Sequence, residues 1–285
     1  MAPVWVFWVE LAVVVLESAA FLGIGYALCK RHPRVQYVAV AAGTICLGYR
    51  ILSSTFPHWF YLRLPYLVLT GVITPAGFLL LAAALTLRLR RSRQRILIGV
   101  FSVVLAYYVF GDPVYLVARG AAISRLAGEW QGETMRQSTA FTCGPAAAAS
   151  LLDAWGYRVT EGEVAFAART SYRGTELPRL LDAVRFFGRY APLTVELRLT
   201  TLDGLADIDR PAVLFVKVGR MHHAITLLRL CDGEVVVADP GRGTCRYDLE
   251  RFREEYAWGG RAIVAWRNSE YPRPPGEPPD PSLQQ

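Results

Sequence analysis

The chain has 285 residues, of which 53% are hydrophobic and 19% charged, with a net charge of +7. That length holds one membrane region and one globular domain of ordinary size. The excess cations gather in two clusters, Lys30, Arg31 and Arg34, then Arg88, Arg90, Arg91, Arg93 and Arg95; both lie between apolar runs, which marks them as membrane-topology signals and argues against a nucleic-acid partner.

From Val4 to Ala118 the sequence is a series of apolar runs. Four candidate spans can be marked, Val4–Cys29, Val35–Phe56, Leu64–Leu87 and Ile96–Ala118, each near the ~20 residues that cross a bilayer core. The fourth is the weakest, because Gly111-Asp112-Pro113 is expected to interrupt it. Tyr107 and Tyr108 mark an interface belt. The basic clusters follow the first and third runs and belong on the cytoplasmic side. An even number of spans then puts the following domain outside the cytoplasm, and an odd number puts it inside. The first run has neither a basic n-region nor a small-residue cleavage site, so no removable signal peptide is expected. Glu10 and Glu17 are seven residues apart, on one helical face. Carboxylates in a membrane are often functional and usually paired; Glu10 and Arg50 are placed at a similar depth for pairing, and a structural ion pair or a snorkelling side chain is expected ahead of a transport role.

After Ala118 the pattern changes to that of a soluble domain. Pro145–Trp155 is rich in Ala and Leu, opens with Pro in a first turn and stops at Gly156, which predicts a helix. Thr160-Glu161-Gly162-Glu163 reads as a capping box for a second helix through Ala168. Thr175 is placed to cap a third, ending at Phe187-Gly188. Strand patterns follow at Leu193–Leu199, Ala212–Val218, Ala224–Leu230 and Val235–Ala238, the last two flanking a Cys231-Asp232-Gly233 hairpin signal. Asp248 is placed to cap a short helix through Tyr256, and Ala262–Trp266 reads as a last strand. Helices first and antiparallel strands afterward predict an α+β domain. The expected organisation is a membrane region over 1–118, the α+β domain over 119–268, and a Pro-rich disordered tail over 269–285.

Of the five cysteines, Cys29 and Cys46 lie in apolar runs and read as small buried hydrophobes. No CxxC pair points to zinc. Cys231 and Cys245 have a spacing that leaves a disulfide open. Cys143 directly precedes the predicted Pro145 helix. Unpaired N–H groups and a partial positive charge at a helix start stabilise a thiolate. Gln137, six residues upstream, can donate to an oxyanion together with the Cys143 N–H. A lone cysteine before a helix is more often a packed thiol, so a base is needed. The α+β domain offers His222 and His223. A three-residue hairpin loop at 231–233 places residue 225 opposite residue 239, which makes His223 and Asp239 diagonal neighbours roughly 7 Å apart at Cβ. His222 then points to the other face. A two-residue turn would shift this register.

The ordered set Gln137, Cys143-Gly144-Pro145-Ala146, His223 and Val237-Ala238-Asp239-Pro240 with Gly241 and Gly243 resembles the bacteriocin-processing, double-glycine leader peptidases. These are papain-like domains found at the front of some peptide-exporting ABC transporters. The similarity covers about Gly132 to Trp266. Family members often carry an acidic residue just before Cys-Gly, where this chain has Thr142. The resemblance implies a papain-like cysteine endopeptidase domain behind the membrane region, with Cys143 as nucleophile, His223 as base, Asp239 as orienting acid and Gln137 as oxyanion donor. It implies a peptide or protein substrate and no metal or cofactor, and it leaves association with a separate exporter open. The alternative is a catalytically silent peptide-binding module of the same fold on a membrane anchor.

Overall fold

The computed structural model describes residues 4–55, 73, 75–86, 92–199, 204, 208, 210–219, 221–231 and 233–267. The expected tail, and most of the third expected span before Pro75, lie outside the described residues. The chain divides into two compact units, Met1–Ala127 with Ser138–Pro145 and Glu161–Leu180, and Gly128–Gln137 with Ala146–Thr160 and Leu181–Gln285.

The first unit begins with helices α1 (Trp5–Arg31) and α2 (Val35–Thr55), then α3 (Phe78–Thr86), entered through a 3₁₀ turn at Pro75–Gly77, and α4 (Ser92–Ile123). Among the described residues, α1 and α4 are long and apolar enough to cross a membrane, with 27 and 32 residues and 18-residue stretches of mean hydropathy 2.0 and 1.8. Their outward faces carry Trp8, Val13, Leu16 and Ile24 on α1 and Leu97, Val100, Val103 and Val104 on α4, all exposed. Val14, Phe78, Leu81, Leu105 and Val109 pack between α1, α3 and α4.

Contrary to expectation, Gly111-Asp112-Pro113 does not interrupt the fourth run: Pro113 lies inside α4. Proline removes one i→i−4 bond, but in apolar surroundings an unravelled helix would orphan many more backbone groups. The Glu10 carboxylate accepts from Arg169 Nε at 2.6 Å; the expected Glu10–Arg50 pairing lies outside the described residues.

This unit also contains α6 (Glu161–Ala167), which starts where the capping-box pattern places it. Helices α5 (Cys143–Ala154) and α7 (Leu177–Gly188) each run on from the first unit's segments into the second unit's. Thr175 does not stand at the edge of α7, which begins two residues later. Its hydroxyl is hydrogen-bonded to that of Thr170 at 2.7 Å.

The second unit is built on a six-stranded antiparallel sheet, in the order β3-β8-β4-β5-β6-β7. The strands are β3 (Leu193–Leu199), β4 (Ala212–Val218), β5 (Met221–Cys231), β6 (Glu234–Asp239), β7 (Gly243–Asp248) and β8 (Ala257–Arg267). Helix α8 (Leu249–Glu255) joins β7 to β8, and the Asp248 carboxylate caps it by accepting from Arg251 N–H at 2.7 Å. Its Phe252, with Tyr256 just beyond, packs on Leu214, Val216, Ile225 and Val237. A fully buried side chain of that size contributes about 2–3 kcal/mol through lost apolar surface. A small hairpin, β1 (Glu129–Gln131) and β2 (Thr134–Arg136), completes the unit.

Cys231 and Cys245 are both free thiols. They sit on β5 and β7, on either side of β6. Two strand spacings come to about 9–10 Å, beyond the reach of a disulfide.

Candidate active site

Cys143 is the first residue of α5, a half-buried thiol outside any disulfide. The chain arrives through a tight turn in which the Thr142 hydroxyl donates to Thr139 O at 3.1 Å and accepts from Thr139 N–H at 3.2 Å. Pro145 suits the first turn because its missing N–H would have had no partner there. Farther along, Ala146 to Ala149, Leu151 and Leu152 are wholly buried. The Ser150 hydroxyl accepts from Met135 N–H at 2.9 Å, and the Thr226 hydroxyl donates to Ala147 O at 2.6 Å. The helix is thereby pinned to β2 on one side and β5 on the other. The first-turn N–H groups and helix dipole around Cys143 favour its ionised form.

His223 and Asp239 are brought together, with Nε2 to Oδ1 at 2.8 Å. The route differs from the one the sequence suggested. Cys231 pairs with Glu234, so the hairpin turn is one residue tighter than expected. A bulge between Leu227 and Arg229 then restores the lost residue, and Thr226 pairs with Ala238. One step further along, Ile225 falls opposite Asp239. His222 pairs with Lys217 and is exposed.

Asp239 is only 2% exposed in its side chain, against 16% for His223. Besides the imidazole, its carboxylate accepts from Gly241 N–H at 2.7 Å and from the Tyr256 hydroxyl at 2.7 Å. Burial alone would raise this carboxyl. The hydrogen bonds from His223, Tyr256 and Gly241 outweigh burial and hold it below the usual carboxylate range. An ionised carboxylate only accepts, so the His223 Nε2 carries the hydrogen and Nδ1 is left as the basic nitrogen. Tyr256 is pushed above its ordinary value by burial and by the carboxylate it donates to, so it stays protonated as a donor.

Asp239 is also a turn residue. Arg242 N–H donates to Asp239 O at 3.0 Å, and Pro240 occupies the position that fixes such a turn. The backbone N–H of Gln137 donates to Pro240 O at 3.1 Å, and neighbouring Arg136 donates to Gly241 O at 2.7 Å. Gln137 is therefore anchored beside the Asp239 turn.

Two contributors escaped the sequence reading. Tyr256 follows the α8 pattern as an ordinary core aromatic, and only its hydroxyl distinguishes its use. The β1–β2 hairpin that delivers Gln137 has three-residue strands, too short for a periodicity signal. Gly132, with φ +61, was its one visible mark.

Helices followed by an antiparallel sheet, with a cysteine opening a buried helix and an imidazole held by a carboxylate, define the papain-like α+β class. Residues 132–270 match the Peptidase C39 family, and the chain belongs to that family. Proteins of Methanothermobacter marburgensis and Methanothermobacter thermautotrophicus, both described as uncharacterized, are 29% and 32% identical over 48% and 46% of this chain and 89% and 86% of their own lengths. Among solved structures, the peptidase domain of Streptococcus ComA, a bi-functional ABC transporter, is 22% identical over 47% of this chain and 98% of that one, with a TM-score of 0.40. A double glycine motif protease from an AMS/PCAT transporter, solved with a leader peptide, is 19% identical over 50% and 95%, with a TM-score of 0.42.

Proposed function

We propose that this chain is a membrane-anchored cysteine endopeptidase that uses Cys143, His223 and Asp239 as its triad and Gln137 as an oxyanion donor. The observation that carries the proposal is the His223 imidazole fixed by a buried carboxylate, itself held by two further donors. A structural histidine needs no such arrangement, whereas a catalytic base needs a set tautomer and a stabilised cation.

In this reading His223 Nδ1 takes the Cys143 proton, and the thiolate attacks the scissile carbonyl carbon. The carbonyl π pair moves to oxygen, where Gln137 and a backbone N–H stabilise it. Collapse expels the amine, protonated by His223, and leaves a thioester. Water, deprotonated by His223, then releases the acid and restores the thiol. Peptide leaders are the proposed substrates, on the strength of the motif resemblance.

Reactivity of the thiol is the direct test. Exposed Cys231 serves as an internal free-thiol reference. Iodoacetamide at pH 6, with sites quantified by mass spectrometry, is expected to modify Cys143 on the order of tenfold faster or more, because a free thiol near pKa 8.5 is almost wholly protonated there. Equal rates would favour the silent peptide-binding module.

The outward apolar faces of α1 and α4 support a multi-pass membrane anchor over 1–118, with the basic clusters cytoplasmic and the peptidase domain over 119–268 outside. A membrane-impermeant maleimide is then expected to label Cys231 in intact cells. Labelling that needs lysis would put the domain inside.

A further inference from the structure

Glu10 remains unexplained by the peptidase reading: a carboxylate within an apolar helix, 17% exposed, paired at 2.6 Å with Arg169. Arg169 is itself unusual. It has φ +49, a left-handed conformation that glycine normally supplies after a helix. It closes α6 in the manner of a C-terminal cap, with Thr170 N–H donating to Ala165 O at 2.9 Å. An arginine kept in a glycine's place points to a use for its side chain.

The rest of α6 is seated just as deliberately. Gly162 N–H donates to Leu126 O at 2.8 Å. A Cβ on Gly162 would lie 2.6–2.8 Å from the carbonyl oxygens of Leu126, Ile123 and Ser124, so only glycine fits against the end of α4. Phe166 packs on Phe7 of α1, ring centroids 4.7 Å apart. Asp112 of α4 faces the buried guanidinium of Arg179 at 3.6 Å, and Arg179 donates to Arg169 O at 2.9 Å.

The same short helix also grips the segment carrying Cys143. Glu161, fully buried, accepts from Ser138 N–H at 2.8 Å and from the Ser138 hydroxyl. Beyond its other end, Thr170 bonds Thr175, whose Cβ would be 3.4 Å from a Cβ at Gly144, the residue after Cys143. One face of α6 thus meets α1 and α4, and its two ends hold the chain before and after the nucleophile.

We propose that Glu10 and Arg169 are positioning residues for Cys143. Through α6, the apolar helices set the entry of α5 and take part in the peptidase site instead of acting only as an anchor. The proposal rests on the peptidase reading above.

The test uses the full chain in detergent or lipid, with the alkylation rate of Cys143 measured against pH and Cys231 as reference. Glu10→Gln and Arg169→Gly are each expected to slow Cys143 alkylation about tenfold at pH 6 and to move its pH midpoint upward. Glycine suits the Arg169 backbone, so a loss in that variant reports the missing side chain and not strain. The exchanged pair, Glu10→Arg with Arg169→Glu, is expected to recover most of the rate. Wild-type profiles in both single variants overturn the proposal, and so does a loss that the exchange fails to repair. A wild-type Cys143 no faster than Cys231 overturns instead the peptidase reading beneath it.

Discussion

Replacing His223 by alanine is expected to lower peptide cleavage by about 10³-fold, with the pH midpoint of Cys143 alkylation rising toward about 8.5. Two losses combine. In the proposed mechanism the thiol loses the imidazole that would ionise it, and a thiol of ordinary pKa is only a few per cent thiolate at pH 7, which removes on the order of tenfold to thirtyfold. The leaving amine also loses its proton donor, and general acid–base catalysis contributes about 10²–10⁴-fold. The combined effect falls short of the simple product, because groups acting as a unit are not additive. His222→Ala is the control: the neighbouring ring is exposed and pairs across to Lys217, and cleavage should change less than about twofold, as for surface substitutions generally. Equal activity of His223→Ala and wild type, measured on a quenched-fluorescence peptide, would remove His223 from the chemistry.

What the sequence disclosed about this site was uneven, for physical reasons. Cys143, Gly144 and Pro145 were legible because helix entry has a local grammar: a small residue, then proline, then an alanine-rich run. Strands β5, β6 and β8, each longer than its expected range, and β7, which had no expected counterpart, were governed by pairing, which is not local. Gly243–Asp248 alternates, with Gly243, Cys245 and Tyr247 facing inward between exposed Thr244, Arg246 and Asp248, but six residues with Gly at one end and Asp at the other give a weak local signal, and the segment forms β7 because β6 offers it an edge. The His223–Asp239 pairing was deduced from a three-residue turn that does not exist. The actual turn is one residue shorter, and a bulge at Leu227/Arg229 cancels the shift. Neither feature has a composition signal, so the right neighbours followed from a wrong premise. For Glu10, the chain carries many arginines, and charge alone could not point to Arg169. The choice depended on how α6 docks.

Asp239→Ala is expected to cost about 2–5 kcal/mol of unfolding free energy. Removing the carboxylate leaves the buried Tyr256 hydroxyl and the Gly241 N–H without their acceptor, and an orphaned buried donor costs about 1–3 kcal/mol. Tyr256→Phe should cost less, about 1.5–3 kcal/mol, since it deletes one hydrogen bond to a charged group and keeps the ring packed on Phe252 and Tyr247. Urea unfolding of the full chain in mild detergent measures both. The pH dependence then tells the carboxylate's role from simple packing. In the native state Asp239 titrates below its unfolded value of about 3.9, so over that interval the unfolded chain binds more protons. Its stabilisation is complete above that unfolded value and is lost as pH falls through the native one. The acid limb of stability should therefore flatten in Tyr256→Phe, where one of the donors is gone and the native carboxyl moves up. In Asp239→Asn this contribution should vanish. The two substitutions touch one hydrogen bond, so their costs should not add in the double variant. If wild type and Asp239→Asn instead lose stability along the same acid limb, the carboxyl titrates alike folded and unfolded, and the three donors around it do not hold the charge on which the orientation of His223 depends.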